Sequence, residues 1–311
     1  MDNDRREEER GHHSKYTDAH SYNYANNNTE EIGKTFVSHR HQNTIDSFWF
    51  AVKADIIVKP FDYVTVEQSN YKTIGIIQYI QRIAGDPDYT LDDKQSSGST
   101  NHKQNRITTI PYNYYNYHDG INIARVAVMA NSVSSIDAPR PLVSSTSMPV
   151  GLGKSVRFAI SDEVMFALGM PEMAHPIPAG VIEMSNGLQV PIYLDISYIV
   201  GPDTAHVNAA GISGNSKTSY LLFLLQSTYQ KLKEYGEEFA LIIFNTKEED
   251  LLHIDFQEDD NDKQKKKEKK NLFNVLDLQI KPFNNVTYLL PRGKDGKPNS
   301  LPTRKCKNLL L

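Results

Sequence analysis

The sequence predicts a small β-barrel followed by an α/β domain with an incomplete parallel sheet. Short, closely spaced runs of β-branched and aromatic residues between residues 45 and 175 predict the barrel. Residues 176–311 contain an apolar run, a glycine-containing loop, a helical pattern and a second apolar run, in that order. That order predicts one βαβ unit of a parallel sheet. Residues 1–44 are polar, with few branched apolar residues, and are predicted to form a disordered tail.

The predicted barrel strands are separated by breakers such as Pro60, Asp62 and Asn70. A polar stretch near residues 85–105 is predicted to be a loop insertion, and a short helix is predicted at 162–169, capped by Ser161 and stopped by Gly169. A hairpin that turns at Asn186-Gly187 is predicted to follow. The predicted barrel strands span residues 48–52, 55–58, 63–67, 73–80, 122–129 and 156–160.

Residues 211–218, Gly-Ile-Ser-Gly-Asn-Ser-Lys-Thr, nearly match the phosphate-binding pattern Gly-x-x-x-x-Gly-Lys-Thr. In such a loop, backbone N–H groups bind nucleotide phosphates, the lysine reaches the β- and γ-phosphates, and the threonine hydroxyl binds Mg²⁺. The context fits, because an apolar run at 205–210 precedes the loop and a helix pattern follows it to about Tyr235 and a capping Gly236. The predicted binding residues for ATP are Gly211, Gly214, Asn215, Ser216, Lys217, Thr218 and Ser219, with Thr218 as the Mg²⁺ ligand.

Ser216 is the one departure from the pattern, because it stands where the pattern has its last glycine. Glycine lets the backbone approach the phosphate closely, whereas serine carries a Cβ. The alternative interpretation is therefore a turn in an α/β sheet that binds nothing. A second Gly-Lys-Ser, at residues 153–155, is predicted to be only a turn between strands, because Met148 stands at the first glycine position and 156–160 alternates as a strand.

The composition excludes several classes of protein. The formal net charge of −4 does not predict an overall nucleic-acid-binding surface. The single cysteine, Cys306, rules out an internal disulfide framework and suits a reducing, cytoplasmic location. No apolar run approaches the ~20 residues of a membrane span, and the charged start lacks the apolar core of a signal peptide.

Three further segments allow two interpretations each. The tyrosine-rich residues 113–117 either stack on bases or, as we favour, pack at strand ends. The charged run at 257–270 either contacts nucleic-acid phosphates or, as we favour, is a solvated surface loop. His12-His13 suggests a metal ligand pair, but no second pair has suitable spacing, so we favour a solvated tail.

Taken together, these motifs resemble the HerA family, ATPases of the FtsK–HerA group. Residues 48–52 and 62–66 resemble the opening of that family's N-terminal β-barrel, and residues 177–180 with 190–195 resemble the entry to its ATPase domain. Residues 205–219 resemble its P-loop strand and loop. Residues 244–252 resemble its Asn-x-Lys-Gly-x-Asp-Leu-Leu segment, with Glu248 replacing the glycine.

The resemblance implies a P-loop NTPase domain within a hexameric ring that hydrolyses ATP to move along duplex DNA, often with a nuclease partner in DNA end processing or phage defence. It implies that Lys217 holds the β- and γ-phosphates, Thr218 holds Mg²⁺, and the N–H groups from Gly214 to Ser219 hold the phosphates.

Two parts that hydrolysis requires are not visible in the sequence. The Walker B pattern is an apolar run ending in Asp-Glu, whereas the run at 251–255 ends in Asp255 followed by Phe256. Arg292 and Arg304, the only arginines after the loop, lie in a polar tail and are weak candidates for an arginine finger. No catalytic residue is therefore assigned, and 311 − 176 = 135 residues after position 176 suggest an ATPase domain cut short.

The leading interpretation is the ATP-binding N-terminal part of a HerA-like DNA translocase or helicase, inactive in hydrolysis by itself. The first alternative is a non-hydrolysing assembly subunit whose barrel docks a nuclease. The second is an oligonucleotide-binding barrel with a degenerate P-loop.

Overall fold

The structure is a computed structural model in which the chain divides into two compact units. The first unit comprises residues 1–174 with 182–190, and the second comprises 175–181 with 191–311. His12-His13, the loop insertion at 85–105, the tyrosine-rich segment, Arg292, Arg304 and Cys306 lie outside the described residues. The described residues are 30–38, 40–69, 71–83, 120–133, 142–143, 148–201, 205–212, 216–244, 251, 254–256, 263–290 and 309–310.

A closed six-stranded antiparallel β-barrel forms the first unit, as the sequence predicts. Around the barrel the order is β2-β1-β7-β3-β4-β5, and β5 pairs back onto β2 to close the ring. A two-residue strand, β6, pairs with the end of β5. The strands are β1 (Glu31–Phe36), β2 (Ser47–Val52), β3 (Tyr63–Glu67), β4 (Tyr71–Ile83), β5 (Ile121–Val133), β6 (Leu142–Val143) and β7 (Ser155–Phe158).

Two predictions within the barrel region differ from the structure. Strand β1 lies in the segment predicted to be a disordered tail, because Ile32 and Phe36 bury their side chains in the barrel wall. The predicted strand at 55–58 is irregular instead. The backbone there turns, since the Asp62 carboxylate accepts a hydrogen bond from the Lys59 N–H at 2.8 Å, and Ile57 is exposed.

The core of the barrel is built from alternating apolar side chains, and glycine allows the close approach of two strands. Phe48, Phe50 and Ile77 are fully buried. A register shift between β4 and β5 falls at Gly75, where an added Cβ would lie 2.6 Å from the Ala127 carbonyl oxygen. The close approach of the Ala127 carbonyl oxygen therefore requires glycine at residue 75.

A short helix, α1 (Ser161–Ala167), contributes a carboxylate to a nearly buried ion pair on the barrel. It starts one residue earlier than predicted, with Ile160 as its N-cap, and the left-handed Gly169 follows it. Glu163 binds Arg157 of β7 through two hydrogen bonds, at 2.9 and 2.7 Å. The Thr65 hydroxyl donates to the same carboxylate at 2.8 Å, so α1, β3 and β7 are joined at one point.

The predicted hairpin is present as β8 (Pro176–Glu183) and β9 (Gln189–Asp195). Gly187 takes the left-handed conformation in its turn, and the Asn186 side chain accepts from the Leu188 N–H at 3.1 Å. These are the residue types that such turns require. The fully buried Asp62 accepts from the Ser185 N–H at 2.9 Å and so fixes the turn within the first unit.

The described part of the second unit contains the open ends of strands β8 and β9, a 3₁₀ helix (Ile196–Tyr198), two α-helices and one short parallel pair of strands. The helices are α2 (Lys217–Tyr235) and α3 (Lys263–Val275), and β10 (Tyr288–Leu289) pairs with β11 (Leu309–Leu310). Residues 263–270 of the charged run, predicted to be a loop, are helical instead and form the first two turns of α3, and they are exposed as expected. Residues 257–262 of that run lie outside the described residues. No helix among the described residues is both long enough and apolar enough to span a membrane.

The predicted βαβ unit is present only as its helix. Residues 205–210 and 239–244 are not strands in the structure. A strand forms only where a neighbouring strand satisfies its backbone N–H and C=O groups, and the described residues place no strand beside these segments. Ile242 and Phe244 consequently expose 76% and 86% of their surface.

Candidate nucleotide-binding site

The candidate site lies where the glycine-containing loop enters helix α2. Lys217 is the first helical residue and Ser216 is the N-cap, with φ +52° and ψ 20°. This left-handed conformation is costly for serine and natural for glycine. The backbone at 216 therefore has the conformation that favours the glycine of the phosphate-binding pattern.

The first turn of α2 has N–H donors for which the described residues supply no acceptor. The Tyr220 N–H donates to the Ser216 carbonyl at 2.8 Å and starts the helical ladder. The Ser216 side chain does not cap the helix, and nothing in the described residues accepts from the N–H groups of Lys217, Thr218 and Ser219. Such donors at the positive end of a 19-residue helix attract an anion.

Lys217 folds back over the loop that precedes it. Its ammonium donates to the Ile212 carbonyl at 2.6 Å. A Cβ on Gly211 would lie 3.4 Å from the Lys217 Cδ, so the lysine stem runs beside that glycine. A phosphate is a stronger partner for an ammonium than a neutral carbonyl is, so Lys217 is placed to exchange one for the other.

Helix α2 is anchored at its far end by side chains that the sequence analysis did not single out. The buried Ser227 hydroxyl donates to the Pro178 carbonyl at 2.6 Å, and the Tyr235 hydroxyl donates to the Pro176 carbonyl at 2.9 Å. Leu224 and Leu232 pack against Ile177 and Ile196. The helix ends at the left-handed Gly236, as predicted. A polar residue on the apolar side of the helical pattern, Ser227, is the signal that could have revealed this anchor.

The structure brings together only some of the predicted site residues. Ser216, Lys217, Thr218 and Ser219 form the turn that begins α2, and Gly211 lies beside the lysine stem. Gly214 and Asn215 lie outside the described residues. Thr218 is half-buried and lies in the first helical turn.

Asp255, which ends the apolar run at 251–255, is hydrogen-bonded to a tyrosine. Its Oδ1 accepts a hydrogen bond from the Tyr288 hydroxyl at 2.7 Å. The described residues contain no group of three or more His, Cys, Asp or Glu side chains that could hold a metal ion. Among the described residues of this turn, Thr218 is the candidate to hold a metal together with phosphate oxygens.

We expect Ser216→Gly to tighten ATP binding, because glycine lets the backbone approach the phosphate more closely than a residue with a Cβ does. Relief of the left-handed strain, about 1–2 kcal/mol, should stabilise the chain with and without ATP alike, since Ser216 already has this conformation. Titration calorimetry with ATP and Mg²⁺ measures the change. Ser216→Ala is the matched control, since it removes the hydroxyl but keeps the Cβ. Equal affinities for the glycine variant and the natural chain would show that the Cβ at residue 216 does not oppose binding.

Comparison of the sequence with protein-family models found no matching family. Comparison with curated proteins found no match either.

Proposed function

We propose that the turn at residues 211–219 binds the phosphates of ATP with Mg²⁺, and that the chain is the N-terminal part of a HerA-like DNA translocase ATPase. One observation carries the nucleotide proposal. Ser216 has the left-handed backbone of a phosphate-binding loop, directly before a helix whose first N–H groups lack acceptors in the described residues.

The first three residues of helix α2 have distinct roles in this proposal. The N–H groups of Lys217, Thr218 and Ser219 point along the positive end of the helix dipole and bind phosphate oxygens. Lys217 exchanges the Ile212 carbonyl for the β- and γ-phosphates, and Thr218 offers its hydroxyl to Mg²⁺. Bound Mg²⁺ would neutralise phosphate charge.

The wider proposal concerns fold and assembly. The closed barrel before the ATP site agrees with the domain order of the HerA family. We propose that residues 205–210 and 239–244 become paired strands of an α/β P-loop domain in a cytoplasmic hexamer that works on DNA with a nuclease. Their exposed side chains, Val207 and Phe244 among them, support this because pairing and packing would remove them from water. The proposal for this chain alone is nucleotide binding and not hydrolysis, since Phe256 follows Asp255 where the Walker B pattern has its catalytic glutamate.

We expect Lys217→Ala to weaken ATP binding at least tenfold. The variant removes a charge-assisted contact to the phosphates, and such contacts are about twice as strong as neutral hydrogen bonds. Titration calorimetry with ATP and Mg²⁺ measures the loss. Lys233→Ala, an exposed lysine near the other end of the same helix, is the matched control and should bind normally. Equal binding by the natural chain and Lys217→Ala would overturn the proposal.

A further inference from the structure

We propose that one face of helix α3 binds the phosphodiester backbone of duplex DNA. The helix begins Lys-Gln-Lys-Lys-Lys-Glu-Lys-Lys, and all eight of these residues are exposed. Residues 263–270 therefore carry six lysines against one acid, and four acids, Glu258, Asp259, Asp260 and Asp262, directly precede them in the sequence. The positive charge is thus local to the first two turns of the helix, in a chain whose net charge is −4.

Four of the lysines share one face, which we call the lysine face: Lys263, Lys266, Lys267 and Lys270. They recur at i, i+3, i+4 and i+7, which places them within an arc of roughly 100°. At 1.5 Å per residue the face is about 10 Å long. Lys265 and Lys269 point to the opposite side of the helix. None of the four lysines of this face forms an ion pair with another described residue.

The one acid of this segment does not neutralise the lysine face. Glu268 lies on the far side of the helix and accepts a hydrogen bond from Gln264 at 2.7 Å. The lysines repel one another at i,i+3 and i,i+4 spacing. They also crowd the N-terminal half of the helix, where the helix dipole disfavours cations. A polyanion along this face would relieve both effects.

The distribution of apolar residues favours nucleic acid over a membrane surface. A helix that lies on lipid needs an apolar stripe along its length. Helix α3 has its apolar residues only at the C-terminal end, where the Phe273 ring meets the Phe223 ring of α2 edge-on at 6.0 Å. The exposed first two turns offer charge without an apolar stripe, which suits phosphates.

This inference adds a DNA contact to the proposed function, and it does not depend on nucleotide binding. The two proposals can therefore fail separately. Lys217→Ala should bind DNA normally, and variants of the lysine face should bind ATP normally. The second result also shows that those variants are folded.

The test is the salt dependence of binding to a labelled duplex of roughly 20 base pairs, followed by fluorescence anisotropy. Four phosphate contacts contribute about −3.6 to the slope of log K against log salt concentration. This contribution alone lowers the affinity about 150-fold when the salt is raised from about 50 mM to about 200 mM. Replacing all four lysines of the face by glutamine should remove that part of the slope. Lys263→Gln with Lys267→Gln should remove about half of it.

Lys265→Gln with Lys269→Gln is the matched control, since it removes two exposed lysines at the same i,i+4 spacing from the other side of the helix. We expect this pair to change the slope by less than half as much as the pair on the lysine face. Equal slopes for the two pairs, or no binding of DNA by the natural chain, would overturn the proposal. Lysine-dependent binding to vesicles containing phosphatidylserine, without binding to DNA, would overturn it in favour of a membrane surface.

Discussion

Glu163→Ala is expected to lower the free energy of unfolding of the barrel by about 2–3 kcal/mol, because the nearly buried Arg157 guanidinium loses two hydrogen bonds to a carboxylate and keeps its ion pair with the more exposed Glu67 at 3.1 Å. The Glu163 and Arg157 side chains expose only 9% and 12% of their surface. Besides Arg157, the carboxylate accepts from the Thr65 hydroxyl and the Ile160 N–H, and Lys72 lies 3.3 Å away. Urea unfolding monitored by Trp49 fluorescence measures the change.

The same pair predicts the direction of the pH dependence. Burial alone would raise the pKa of Glu163, but the hydrogen bonds and charge of Arg157, with hydrogen bonds from Thr65 and Ile160, outweigh it and hold the pKa below its ordinary value of 4.5. The contribution of the carboxylate is therefore complete above about pH 4.5 and is lost as the pH falls through the lower pKa of the folded state. Glu163→Gln should lack this part of the acid sensitivity. An unchanged pH profile would contradict the assignment.

A double variant separates charge from packing. Arg157→Met with Glu163→Leu removes both charges and keeps apolar volume, so it should cost less than Glu163→Ala alone. If the double variant were the less stable of the two, the effect of Glu163→Ala would come from lost shape and not from an unpaired charge.

Gly75→Ala is expected to destabilise the barrel by about 3 kcal/mol, because the added Cβ meets backbone that cannot move without disturbing the β4–β5 ladder. The Cβ would lie 2.6 Å from the Ala127 carbonyl oxygen and also meet the Val126 side chain. Urea unfolding measures this loss as well. Gly151→Ala is the matched control, since its nearest neighbour is the Lys154 Cε at 3.3 Å, the end of a flexible side chain. Similar stability for the two variants would show that the bulge at Gly75 adapts.

The sequence predicts the barrel well because its buried strands are rich in aromatic and β-branched residues, which is a local signal. Residues 47–52 are all buried, and the pattern of aromatic and β-branched residues there is unambiguous. Strand β1 escaped the prediction because its charged residues, Glu31 and Lys34, resemble the polar tail before it. Its place depends on pairing with β2 and β7, which are distant in sequence, and a local pattern does not report such contacts.

The candidate site is predicted less completely, for two physical reasons. The motif and helix propensity locate the start of α2 within one residue, since Lys217 is its first residue. The strands predicted on either side are apolar enough to be strands, but pairing decides whether they form, and the described residues supply no neighbour. The left-handed Ser216 and the Lys217–Ile212 hydrogen bond are conformational facts that residue types alone do not specify.

Closure of the barrel by the β2–β5 pairing restricts how partners can recognise this unit. Each of the six barrel strands has a neighbour on both sides within the ring, so the backbone groups of those paired residues are not offered for strand addition. Residues 78–83 of β4 extend past β3 and pair only with β5 among the described residues. A partner of the barrel must therefore bind side chains, connecting segments or this extended end of β4.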